Sequence, residues 1–250
     1  MISKPFYFGQ NKSCFGHFMH LQGLSQGKAV LIVPSIFGEA IRSHFVAREI
    51  AKCLVKQGYD VIRFDFDGDG NSCSKTRNTS VRDWIRNIQD GYDELVNRLN
   101  TASVSVFSIR FGAGLSLVAL EERPVESFVL WDPIFSTRKM YDIFVGQDSV
   151  TNSWDVQGSD NPFEHNQKHS GFFEVGVGKE FADEFLLIED AGVPNCDVQI
   201  INTGPKFDEE RRASVSGSVV LDVSHQCNWQ MKDLPVIFAP KIVSTVCSCF

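Results

Sequence analysis

Ser103-Val104-Ser105-Val106-Phe107-Ser108-Ile109-Arg110-Phe111-Gly112-Ala113-Gly114 is the stretch that decides the fold. Its first half predicts a buried strand over 103–109, and its small residues predict a helix from 112 to about 122. A strand turning sharply into a small-residue helix start is the setting of a nucleophile elbow, where the middle residue sits at the tip of a strained turn. Here that window reads Ser108-Ile109-Arg110-Phe111-Gly112, so an arginine occupies the tip and Ser108 replaces a glycine. A guanidinium stays protonated and cannot attack a carbonyl. Acyl-enzyme chemistry of the Ser-His-Asp kind is therefore excluded from this position.

Outward from the elbow, short apolar runs alternate with helical patterns. Strands are expected over 29–33, 60–65, 128–131, 198–201 and 219–221. Val46, Ile50 and Leu54 recur at helical spacing over 45–56, and Gly58 supplies the stop. Thr79 or Ser80 can cap a long helix whose Val81, Trp84, Ile85, Ile88, Leu95 and Leu99 share a face. Residues 6–8 and 15–21 predict an antiparallel hairpin at the sheet edge. The fold class is α/β: a mostly parallel central sheet flanked by helices, in a single domain over 1–250.

Residues from about 136 to 189 break the alternation and are too long for a plain connection. They predict a lid or cap over a core of about 1–135 and 190–250. Phe163, Phe172, Phe173, Phe181, Phe185, Leu186 and Leu187 suit the cover of an apolar pocket; a packed satellite of the core is the alternative.

The chain has 250 residues, 43% hydrophobic and 22% charged, enough for one full α/β core. A net charge of −7 and a pI near 5.4 argue against nucleic acid or an anionic membrane as partner, since both demand a basic footprint. No apolar run is long enough to span a bilayer, and residues 1–13 have no apolar core that would make them a secretory signal. Seven scattered cysteines read as reduced thiols of a cytoplasmic protein rather than a disulfide framework. No metal or cofactor is expected: Cys247 and Cys249 lack the further ligands that zinc needs. The final Cys247-Ser248-Cys249-Phe250 lacks the aliphatic residues and basic run of a prenylation signal. Asp65, Asp67, Asp69 and Gly70 begin like a calcium loop, but Thr76 stands where the closing glutamate belongs and a strand precedes them. A tight turn is the reading for this segment.

Over nearly its whole length the chain resembles the α/β-hydrolase superfamily. The resemblance rests on the elbow, on Pro34-Ser35-Ile36-Phe37-Gly38-Glu39 after the first parallel strand, and on the Asp65-to-Ser72 turn after the next. Phe37-Gly38-Glu39, Arg110-Phe111-Gly112-Ala113 and Leu130-Trp131-Asp132-Pro133 further resemble the exosortase A system-associated hydrolases, some of which also place arginine in the elbow. The resemblance implies an oxyanion region at Ser35, Ile36 and Phe111. It also implies a histidine after the last strand, which is His225, and an acid after the preceding one. Asp208 is the best-placed acid, with Asp132 as an alternative site.

Two functions follow. In one, the chain is a hydrolase or acyltransferase acting on an acyl or ester-type small molecule through a rewired site. His225 then activates water, or a hydroxyl of Ser35 or Ser108, while Arg110 clamps an anionic group. In the other, it is a catalytically inactive pseudo-hydrolase that binds an acyl-type or anionic ligand, or a partner protein, in a biosynthetic assembly system. Arg110 serves as an anion clamp, or pairs with Glu39, Asp132 or Asp208 and plugs the site.

Overall fold

A computed structural model describes residues 1–23, 26–73, 79–99, 103–139, 141–142, 183–188, 190, 192, 194–204, 218–223, 229, 237 and 239–250. Strands β1 (Ile2–Phe8), β2 (Cys14–His20), β3 (Ala29–Val33), β4 (Asp60–Phe64), β5 (Val104–Ile109), β6 (Ser127–Trp131), β7 (Asp197–Asn202) and β8 (Val219–Asp222) form one sheet. Its order is β1-β2-β4-β3-β5-β6-β7-β8. The β1–β2 and β2–β4 pairs are antiparallel and the rest parallel. The expected hairpin thus forms one edge of the sheet.

Helix α1 (Phe37–Lys56) and the C-terminal α4 (Pro240–Ser248) cover one face, and α2 (Val81–Leu99) and α3 (Phe111–Ala119) the other. Along β3, Val30 and Ile32 pack towards α1 while Leu31 and Val33 pack towards α2, the period-two pattern of a strand buried on both faces. Ser80 makes the capping box of α2: its Oγ accepts from Asp83 N–H at 3.1 Å, and Asp83 Oδ2 accepts from Ser80 N–H at 3.0 Å.

Helix α1 starts eight residues before the apolar period predicts. Its inward face continues back from Leu54, Ile50 and Val46 to Ser43 and Glu39, all buried. Polar residues on that first stretch hide the helical stripe from a reading based on hydrophobicity.

Strand order reverses at β3, which has β4 on one side and β5 on the other. Open α/β sheets bind ligands at such a switch point, outside the carboxyl ends of the strands. The β3–α1 loop and the elbow after β5 both stand there. The expected lid falls mostly outside the described residues, which within it are 136–139, 141–142 and 183–188. No helix among the described residues is long and apolar enough to cross a membrane.

Candidate functional site

The turn at Arg110 has elbow geometry. Its backbone sits at φ 54°, ψ −116°, a region that side chains rarely adopt and that costs about 1–3 kcal/mol. The surroundings hold it there: Arg110 N–H donates to Trp131 O at 3.0 Å, and Arg110 O accepts from Ala113 at 3.1 Å and Ile134 at 3.2 Å. A Cβ on Gly112 would stand 2.1 Å from Pro34 O, so only glycine lets α3 start this close to the β3–α1 loop.

The Arg110 side chain turns to that same loop. Nη2 donates to Glu39 Oε1 at 3.0 Å, and Nε lies 3.2 and 3.3 Å from Glu39 Oε1 and Oε2. Nη1 donates to the Asp132 carbonyl at 3.3 Å. The pair is buried, with Arg110 8% and Glu39 5% exposed. The guanidinium carbon lies 5.1 Å from the Trp229 ring centroid, within cation–π range. Glu39 Oε2 also accepts from Ser35 Oγ at 2.7 Å, and its backbone carbonyl accepts from Ser43 Oγ at 2.8 Å.

A second cluster adjoins it. Asp132 follows β6 directly, with a positive φ of 43°. Its carboxylate accepts from Thr203 N–H at 2.7 Å, from the Thr203 hydroxyl, and from Trp229 Nε1 at 2.8 Å. Trp229 joins the clusters, since its carbonyl also accepts from Arg42 Nη1 at 2.9 Å and its ring packs 5.0 Å from that of Trp131.

Of the sequence-predicted residues, the fold gathers Ser35, Glu39, Arg110 and Asp132. Ile36 caps α1 and Phe111 opens α3, so both flank the arginine at helix N-termini with fully buried side chains. Arg110 takes Glu39 as its carboxylate partner, while the Asp132 carboxylate is engaged with Thr203 and Trp229. Ser108 is fully buried and shares a 2.9 Å hydrogen bond with Ser116 of α3, on the α2 face of the sheet. Neither substitute hydroxyl is presented to a substrate, because Ser35 is also fully buried and donates to Glu39. His225 and Asp208 lie outside the described residues. Trp229, Thr203 and Arg42 escaped the sequence reading, for none stands in a periodic stretch or in a motif with a chemical role. Among the described residues, no group of three His, Cys, Asp or Glu side chains is placed to hold a metal.

No family model matches the chain, and no curated protein matches it in sequence. Its structure, however, superposes on many solved ones. An esterase from Pyrococcus furiosus is similar at a TM-score of 0.60 and 16% identity, covering 98% of this chain and 88% of that one. Alpha/beta hydrolase domain-containing protein 10 from mouse has a TM-score of 0.60 at 14% identity, covering 98% and 96%. An alpha-beta serine hydrolase homologue from Coxiella burnetii has a TM-score of 0.55 at 12% identity, covering 89% and 88%. At these identities the likeness concerns architecture: the chain has the α/β-hydrolase fold.

Proposed function

We propose that the chain is a cytoplasmic pseudo-hydrolase that binds an acyl-type small molecule for a biosynthetic assembly system and does not turn over esters through an acyl-enzyme. The observation that carries this reading is the closed Arg110–Glu39 pair at the position of the nucleophile. Arg110 has no nucleophilic atom, and its charge is neutralised by Glu39 rather than held ready for substrate. The hydroxyls of Ser35 and Ser108 are buried and committed. What the fold retains is its usual place for a ligand, at the switch point of the sheet.

The exosortase A-associated resemblance supports the assembly-system part. Its three short motifs contribute Glu39, Arg110 and Asp132, which the fold brings into one contact network.

The test is treatment of the purified chain with a fluorophosphonate probe and with p-nitrophenyl esters of several chain lengths. Neither labelling nor turnover is expected. Ester turnover that disappears in His225→Ala or Asp208→Asn would overturn the reading in favour of a hydrolase whose histidine activates water.

A further inference from the structure

A cavity of about 300 Å³ opens between α1 and the turn after β4, sharing Pro34 of the β3–α1 loop with the elbow. That is the lower end of the size range for small-molecule sites. Ile32, Pro34, Ala47 and Phe66 supply apolar wall, and Ile41, which also lines it, is 69% exposed. The polar lining is Arg63, His44 and Ser43 together with two carboxylates, Asp65 and Asp69, and Asn71.

Arg63 is the unusual member. On β4, Val61 packs towards α1 and Ile62 and Phe64 towards α2, so the strand alternation directs Arg63 to the α1 face, where this cavity lies. Among the described residues its buried Nε has no hydrogen-bond partner and its guanidinium enters no ion pair. The two lining carboxylates each accept from backbone: Asp65 Oδ2 from Asn71 N–H at 2.9 Å and Asp69 Oδ1 from Gly70 N–H at 2.8 Å. A half-buried guanidinium whose nearest opposing charge, Asp65, is not hydrogen-bonded to it is costly, and its planar fork matches a carboxylate.

We propose that this cavity is a binding site for a small organic carboxylate. The acid group sits on the Arg63 guanidinium beside His44, and the hydrocarbon part lies against Ile32, Pro34 and Ala47. The apolar wall selects a monocarboxylate with a hydrocarbon tail over a fully hydrated inorganic anion. His44 is a built-in reporter. Burial and then the Arg63 charge push its pKa below the ordinary histidine value, with Arg48 of the same helix acting in the same direction and Asp65 opposing. A carboxylate on Arg63 offsets its charge and moves the His44 titration upward. The site stands whether or not the elbow turns over esters, so the two tests are read separately.

The experiment titrates the chain with hexanoate, hexan-1-ol and inorganic phosphate by calorimetry, and follows the His44 ring resonances against pH with and without hexanoate. Saturable hexanoate binding, an upward His44 shift and much weaker binding of the alcohol and of phosphate are expected. Arg63→Gln should weaken hexanoate by about tenfold or more, and Arg63→Lys by less. Absence of hexanoate binding, equal binding of the alcohol, preference for phosphate, or an unchanged His44 titration would overturn the proposal on the unmodified chain, whatever the variants' folding. Undiminished affinity in folded Arg63→Gln would do the same.

Discussion

Arg110 Nη2 donates to Glu39 Oε1 at 3.0 Å across 71 positions of chain, which ties the strained tip of the elbow to the first turn of α1. Glu39 also lies in the first turn of that helix, where the macrodipole favours an acid. A single carboxylate therefore serves the helix end, the Ser35 hydroxyl and the elbow guanidinium. Removing either partner leaves a buried charge uncompensated, whereas removing both does not.

Glu39→Leu alone should accordingly lower stability by about 3 kcal/mol or more, and Arg110→Met alone by a similar amount. The double variant Glu39→Leu/Arg110→Met should lose far less than the sum of the two. Urea denaturation of the four proteins in a double-mutant cycle checks this. Additive single losses would mean that the pair contributes no coupling energy.

Asp132→Asn should cost about 2 kcal/mol, because a carboxylate that accepts from Thr203 and Trp229 is replaced by an amide with one acceptor oxygen. Asparagine tolerates the positive φ of 43°, so the loss reports on hydrogen bonds rather than strain. Trp229 fluorescence should change along with stability, since its indole N–H loses a charged partner. An unaltered emission spectrum with full stability would contradict the hydrogen-bond assignment.

Acidification should destabilise the fold through His17 and His44. Burial first, and the Arg63 charge second, hold both imidazoles below their ordinary value of 6.5, while Asp65 opposes the shift in each. The unfolded chain then binds more protons than the folded one as pH drops below 6.5. Their contribution is fully present above that value and declines as pH falls towards the depressed folded-state values. Thermal unfolding at a series of pH values should show midpoints falling across this window, with a shallower slope in Arg63→Gln. A slope insensitive to that substitution would separate the histidines from Arg63.

Sequence alone determined the strands and the elbow, because these are local. Val30 to Val33 is apolar on both faces, and Val104 to Ile109 is buried on both with only the small Ser105 and Ser108 among its apolar residues, which suits strands in a parallel sheet. Gly112, with no room for a Cβ beside Pro34, marks the tight strand-to-helix turn. Arg110 likewise excluded serine chemistry by its identity, before any coordinate. The choice of its partner was not legible: Glu39, Asp132 and Asp208 were all open to it in sequence. Sheet order decided among the described two, since β3 lies next to β5 and brings the start of α1 against the elbow. The early start of α1 and the role of Trp229 were hidden for the same reason. Glu39, Ser43 and Trp229 are polar or isolated in sequence, and their partners exist only once strands far apart in the chain have paired.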